Sequence, residues 1–171
     1  AVLRSPKGVV VNLFFDGSIE TVIKEKKRLT LRMETTYPVS GKIKITLDLN
    51  EPEKFEVLIR IPFWSQKTNL TVNGEASKVE LGYTVLDRKW NSGDFIELEL
   101  DMRTEAIKPI PYGHQILMNK VVWGANYMIP TYDEEDPIAK NHLALRRGPI
   151  VLAQENRLGY SVDEPISIPV K

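Results

Sequence analysis

The sequence has no cysteine in its 171 residues. This absence excludes disulfide bonds, thiolate nucleophiles and cysteine-ligated zinc from the chain. Histidine is almost as scarce, because His114 and His142 are the only two, and no Ser-His-Asp arrangement or metal-ligating cluster surrounds either in the sequence. We therefore expect no metal, no cofactor and no catalytic residue in this chain.

The sequence also lacks an excess of either charge. Lysine and arginine number 23, and aspartate and glutamate number 23, so no global field favours a nucleic acid or an anionic membrane. No apolar run approaches the roughly 20 residues of a membrane-spanning helix, and no signal segment opens the chain. We expect neither nucleic acid nor membrane as a partner, and the cell compartment stays open.

Helical periodicity is missing as well. Before Glu105, no window of 12 or more residues carries apolar side chains at helical spacing without a proline or glycine. Short alternating segments recur instead, such as those at 29–35 and 43–49. The pattern predicts an all-β, antiparallel β-sandwich, jelly-roll-like, with little or no helix. We expect one unit over residues 1–171, with a sub-boundary near 108–113, where prolines interrupt the pattern.

The segment at 55–95 organises the rest of the chain. Its first strand ends at Pro62, because proline cannot donate a ladder hydrogen bond. Asn73-Gly74 is the pair that a two-residue hairpin turn favours. A further strand at 83–90 is followed by Asn91-Ser92-Gly93-Asp94 and by a new alternating strand. Every other segment is expected to pack on this one.

Two glutamates suit a glycosidase by spacing alone. Glu97 and Glu99 lie two apart on one strand face, about 7 Å from each other, which fits a pair of catalytic carboxylates. They also alternate with Ile96 and Leu98, which is typical of the solvent-exposed face of an antiparallel strand. We favour the second interpretation. The acidic run 133–136 is likewise interpreted as a solvated loop and not as a calcium site.

An aromatic set in the second half is the best candidate for a functional role. Trp123, Tyr127 and Tyr132 are predicted as the substrate-binding residues, because flat aromatic faces beside polar groups stack on sugar rings. Tyr112 belongs to the same set, and packing in a core or between domains is the alternative that we favour for these side chains. Arg146 and Arg147 point to opposite faces of a strand, so one is expected to pair with a carboxylate.

Several motifs follow one another in an order that resembles a known family. The motifs are Tyr37-Pro38, Arg60-Ile61-Pro62-Phe63-Trp64, Val72-Asn73-Gly74, the Gly82-Tyr83 to Trp90 strand with Gly93-Asp94, and Ala144-Leu145-Arg146-Arg147-Gly148-Pro149-Ile150-Val151. Through them the chain resembles the C-terminal β-sandwich region of glycoside hydrolase family 127, the β-L-arabinofuranosidase group, over roughly residues 8 to 155. Phe63 is a departure, since a small residue often precedes the tryptophan there.

The resemblance implies that catalysis belongs to an upstream (α/α) helical barrel, with a cysteine nucleophile, a cysteine-rich zinc site and a glutamate. None of these can be assigned to a chain without cysteine. The implied role is a non-catalytic accessory domain whose partner is that barrel. The alternatives are a carbohydrate-binding module for arabinose-containing glycans and a self-standing enzyme. An accessory domain should expose an apolar patch, expected at Phe14, Phe15, Phe63 and Trp64 or at the aromatic loop.

Overall fold

The computed structural model describes residues 2–23, 27–107 and 144–152, and every regular element in them is a β-strand. The chain divides into two compact units, Ala1–Arg103 and Thr104–Lys171. No helix in the described part is long and apolar enough to cross a membrane. The strands are β1 (Val2–Ser5), β2 (Gly8–Val11), β3 (Gly17–Val22), β4 (Arg28–Thr35), β5 (Lys42–Leu49), β6 (Glu53–Ile61), β7 (Asn69–Val72), β8 (Glu75–Ala76), β9 (Gly82–Trp90), β10 (Phe95–Glu99), β11 (Thr104–Ile107), β12 (Ala144–Arg147) and β13 (Ile150–Leu152).

The first unit contains two sheets. One has four strands in the order β1-β2-β6-β9, and the other has six in the order β3-β4-β5-β10-β7-β8. Their strand pairs are antiparallel except β2 with β6, which is parallel. This exception arises because the chain leaves the first sheet after β2, builds β3 to β5 in the second sheet, and returns as β6. The predicted all-β sandwich class is confirmed, while the jelly-roll-like connectivity stays a prediction.

Alternation along the strands creates the core between the two sheets. In β5 the odd positions are buried and the even positions face outward, and β10 shows the same alternation with Ile96 and Leu98 buried. A shift of one residue would carry every apolar side chain of a strand to the solvent face, so burial fixes the register. The largest fully buried side chains are Trp90, Phe55, Leu29, Leu31, Met33, Ile45, Leu47, Ile59, Ile61, Ile96, Val9 and Val11.

Trp90, the last residue of β9, packs in the core beside Phe55 of β6. It is fully buried, its ring lies 6.2 Å from that of Phe55, and its indole N–H donates a 3.1 Å hydrogen bond to the Phe55 carbonyl. A buried tryptophan needs such an acceptor, because an unpaired indole N–H in the core costs free energy. Trp90 thereby combines apolar packing with one satisfied polar contact.

The predicted hairpin turn is confirmed. Asn73 and Gly74 connect β7 to β8 and have φ angles of 54° and 82°. Both angles lie in the left-handed region, which a two-residue hairpin turn requires of its central residues and which asparagine and glycine adopt most readily.

The sandwich has two ends that differ in composition. Strand register places Val2, Val11, Ile61 and Gly82 at one end of the four-stranded sheet. Segments 12–16, 62–68 and 77–81 cross from there to the six-stranded sheet, where the 36–41 turn and residues 100–103 also lie. We call this the Phe63 end. The opposite end, which we call the Asp94 end, carries Ile23, Lys27 and segments 6–7, 50–52, 73–74 and 91–94.

The second unit contributes one described sheet, in the order β11-β12-β13, with antiparallel neighbours. Arg146 lies opposite Glu105 in the ladder, and its guanidinium lies 2.6 Å from the glutamate carboxylate. The expectation that one arginine of the Arg146-Arg147 pair meets a carboxylate is confirmed. The predicted sub-boundary at 108–113 lies outside the described residues.

The core position of Ile45 generates the first prediction. Ile45→Ala should lower the free energy of unfolding by about 3 kcal/mol, because it leaves a cavity between the sheets. Ile45→Asp should prevent folding, because it buries an unpaired charge. Lys42→Ala, on the exposed face of the same strand, is the control and should change stability by less than about 0.5 kcal/mol. Equal effects of Ile45→Ala and Lys42→Ala in urea unfolding would contradict this core assignment.

Candidate functional surfaces

The predicted substrate-binding residues Trp123, Tyr127 and Tyr132 lie outside the described residues. The same holds for Tyr112, for both histidines and for the acidic run at 133–136. Their roles stay predictions. The described part of the chain holds no group of three or more acidic or histidine side chains placed to bind a metal ion.

A groove of about 310 Å³ lies on the outer face of the six-stranded sheet, and it contains the two glutamates weighed above. Both are exposed on β10, which confirms that they occupy its solvent face. Among the described residues, no aromatic side chain lines this groove. It is lined by Glu34, Lys42, Ile43, Lys44, Asn69, Thr71, Glu97, Leu98 and Glu99.

The charges of this groove alternate across the strands. Glu34, Lys44 and Glu97 follow one another in the ladder register, and the Lys44 ammonium lies 4.0 Å from the Glu97 carboxylate. The same ammonium lies 4.6 Å from the centre of the Phe95 ring. Such cross-strand pairs stabilise a solvated sheet face. Glu97 is half-exposed and lies beside a lysine, which is typical of a surface carboxylate on the outer face of an antiparallel strand.

A hydrogen-bond network organises the 62–68 loop at the Phe63 end. Ser65 is fully buried, and its hydroxyl accepts the backbone N–H of Asp101 at 2.7 Å. Thr68 donates its hydroxyl hydrogen to the Ser65 carbonyl at 2.9 Å. The Ser65 hydroxyl is therefore the donor in the 2.6 Å contact between the two side chains. The network ties the loop to the segment that follows β10.

Asp101 continues this network toward the surface. Arg103 donates two hydrogen bonds to its carboxylate, from Nε at 2.8 Å and from a terminal nitrogen at 2.7 Å. The guanidinium of Arg103 holds the pKa of Asp101 below its ordinary value, and this effect outweighs the opposing effect of burial. The two-point contact fixes the position of the segment at 100–103.

This anchored loop presents one large apolar side chain to solvent. Phe63 is 75% exposed, whereas the neighbouring Trp64 is half-buried and packs against the core. Phe15 is also exposed, so two members of the expected apolar patch are confirmed. The assignment of Phe14 is wrong, and Trp64 is only partly exposed. Phe14 is buried, with its ring edge-on to Tyr37 at 5.9 Å, because the turn after β2 directs it into the core.

The structure adds three aliphatic residues that sequence reasoning missed. Leu13, Val39 and Leu81 are exposed in other segments of the Phe63 end, and Val39 is 70% exposed. A signal for Val39 existed, because it lies inside the turn sequence Tyr37-Pro38-Val39-Ser40-Gly41, where a core position is not expected.

The two-sheet fold and its anchored loops are those of a β-sandwich domain. Residues 8–102, more than half of the chain, match the family model described as β-L-arabinofuranosidase, GH127 middle domain. The chain belongs to glycoside hydrolase family 127. No curated protein matches it.

Solved structures support the same relationship. The chain is 27% identical to the GH127 β-L-arabinofuranosidase Ara127N-Se from Geobacillus stearothermophilus T6, with a TM-score of 0.68, covering 88% of this chain and 20% of that one. A protein described as a glycoside hydrolase is 29% identical, with a TM-score of 0.65, 86% coverage of this chain and 21% of its own. A further GH127 β-arabinofuranosidase is 25% identical, with a TM-score of 0.63 and corresponding coverages of 84% and 22%. The chain spans about a fifth of the length of these proteins.

The Asp101 contact generates the second prediction. The folded-state pKa of Asp101 is lowered, so its stabilising contribution is present above the unfolded value of about 3.9 and is lost as the pH falls through 4 and below. Asp101→Asn should lower the midpoint of thermal unfolding by about 3 °C at pH 7, and the difference from the unmodified chain should shrink below pH 4. Glu75→Gln, an exposed carboxylate in β8, removes the same charge and serves as the control. A difference that stays constant from pH 7 to pH 3 would contradict the predicted linkage.

Proposed function

We propose that this chain is a non-catalytic accessory β-sandwich of a larger glycoside hydrolase of the β-L-arabinofuranosidase type, which we call the parent protein. The catalytic helical barrel of the parent lies upstream. The observation that carries this proposal is the coverage, because 88% of this chain corresponds to 20% of a GH127 β-L-arabinofuranosidase. Four fifths of such a protein remain to hold the catalytic site.

The side chains of this sequence favour the same conclusion. The resemblance implies a cysteine nucleophile and cysteine-ligated zinc, and the chain contains no cysteine. In the described residues, the glutamates best placed for hydrolysis are solvated and face lysines. The domain therefore serves the parent by stabilising the barrel on which it packs.

This role generates the third prediction, which is made on the parent protein. Disruption of the sandwich core by Ile45→Ala should shorten the half-life of activity at elevated temperature by at least about threefold, because the barrel loses part of its support. The KM for an aryl β-L-arabinofuranoside at 25 °C should change by less than about twofold, because the sandwich does not contact the substrate.

Lys42→Ala in the parent is the matched control and should leave both quantities unchanged. A parent that keeps its half-life in the Ile45→Ala variant would contradict a stabilising role. Hydrolysis of the same substrate by the 171-residue chain alone would contradict the non-catalytic assignment.

Carbohydrate binding is the second candidate, and it rests on the aromatic residues predicted from the sequence. The fourth prediction concerns calorimetric titration of the 171-residue chain with arabinose-containing oligosaccharides. The accessory role predicts no heat of binding. Heat that is lost in Trp123→Ala, Tyr127→Ala or Tyr132→Ala and kept in Phe63→Ala would favour the carbohydrate-binding module instead.

A further inference from the structure

The exposed apolar residues of the first unit are unevenly distributed. In its described residues, eight large apolar side chains are exposed, and none of them lies in the segments of the Asp94 end. Three lie on the strands of the four-stranded sheet, at Leu3, Tyr83 and Val85. The other five lie in the segments of the Phe63 end, at Leu13, Phe15, Val39, Phe63 and Leu81.

The Asp94 end has the composition of a surface that stays in water. Asn73 donates a 3.0 Å hydrogen bond to Asp94, and Ser92 donates a 2.6 Å hydrogen bond to Asp48. Lys27 forms ion pairs with Glu51 and Glu53 across the turns of this end. The contrast shows that the apolar character of the Phe63 end is a property of that surface and not of the loops in general.

The Phe63 end is also preorganised. The loop that carries Phe63 is fixed by the buried hydroxyl of Ser65, which is bonded to Thr68 and to the backbone of Asp101. Its apolar side chain is thus held in solvent by a rigid support. Because the loop is already ordered, a partner that binds it does not incur the entropy cost of ordering it.

The side chains at this end fit a protein surface better than a glycan. Leu13, Val39 and Leu81 are aliphatic and offer neither stacking faces nor hydrogen bonds to sugar hydroxyls. Polar pairs lie at the same end, including the 2.6 Å hydrogen bond from Tyr83 to Asn12 and the Asp101–Arg103 ion pair. Protein interfaces commonly combine exposed apolar side chains with such polar groups.

Strand register brings the polypeptide that precedes β1 to this surface, at the end where residues 100–103 also lie. Val2 pairs with Val11, so β1 starts at the Phe63 end, and polypeptide preceding β1 in the parent arrives there. Covalent attachment at this point raises the effective concentration of that polypeptide at the apolar side chains, so a small patch is sufficient. The matched region is a middle domain, which has sequence before it in its family.

We infer that the Phe63 end is the surface through which the sandwich packs on the upstream catalytic domain of the parent. The inference rests on the proposed function and adds the docking surface to it. The facing surface of the catalytic domain must be apolar where it meets Phe63, Phe15 and Val39.

Hydroxyl-radical footprinting tests the inference, because it reports the accessibility of individual side chains. Oxidation rates are compared between the 171-residue chain and the intact parent protein. We expect the rates at Phe63 and Phe15 to fall at least fivefold in the parent. Val85, which is 50% exposed on β9 and about 10 Å along that strand from Gly82, is the control and should keep its rate. Phe95, which lies beside Asp94 at the opposite end, is the aromatic control and should also keep its oxidation rate.

A substitution links the protection to the contact. Phe63→Asp places a charge in the proposed interface, so in the parent it should restore the oxidation rate of Phe15 to that of the isolated chain. Val85→Asp makes the same change outside the interface and should leave Phe15 protected. Both variants should fold as the unmodified chain does, because both side chains are exposed.

The outcomes separate failure of the inference from failure of the proposed function. Protection of Leu3 and Val85 in the parent, with Phe63 still reactive, would overturn the inference and leave the accessory role standing on another surface. Unchanged rates at every exposed residue of the sandwich would overturn both. Protection of Phe63 in the 171-residue chain would overturn the inference, and a dependence of that protection on chain concentration would assign the surface to a second copy.

Discussion

The structure of the first unit depends on the burial of alternate side chains between two sheets. Ile45 on β5 and Ile96 on β10 are paired side by side on neighbouring strands, and both are fully buried. Their neighbours Lys44 and Glu97 point outward as a charged pair. One periodicity therefore sets the register, forms the core and determines which side chains meet water. Trp90 adds a buried hydrogen bond, from its indole N–H to the Phe55 carbonyl.

Alternation does not determine the composition of the two ends of the sandwich, because the loops there do not follow the period-two pattern of the strands. Their compositions diverge accordingly. Polar side chains at the Asp94 end bond to one another, whereas a rigid loop at the Phe63 end holds a phenylalanine in solvent. A protein bears the cost of such exposure where another surface covers it. The proposed packing on the upstream catalytic domain explains the difference between the ends without a new fold or a catalytic site.

Sequence reasoning was sufficient for the strands and insufficient for the surfaces. Period-two alternation predicted β4, β5 and β10, and the Asn73-Gly74 turn followed from local backbone chemistry. The exposure of Phe63 was expected, but Phe14 is buried and Trp64 is partly buried against the core. In a loop no periodicity tells which of two adjacent aromatic side chains turns inward. The loop that carries Phe63 and Trp64 is held by a hydrogen bond from the Asp101 backbone to Ser65, which joins residues 36 apart in sequence. The aromatic candidates Trp123, Tyr127 and Tyr132 stay predictions.

The most direct test of the accessory role is differential scanning calorimetry of the 171-residue chain and of the parent protein under the same conditions. If the sandwich and the catalytic domain stabilise each other, the transition assigned to the sandwich should occur at a higher temperature in the parent and merge with that of the catalytic domain. Two separate transitions in the parent, with the sandwich unfolding at the temperature of the isolated chain, would contradict the proposed role.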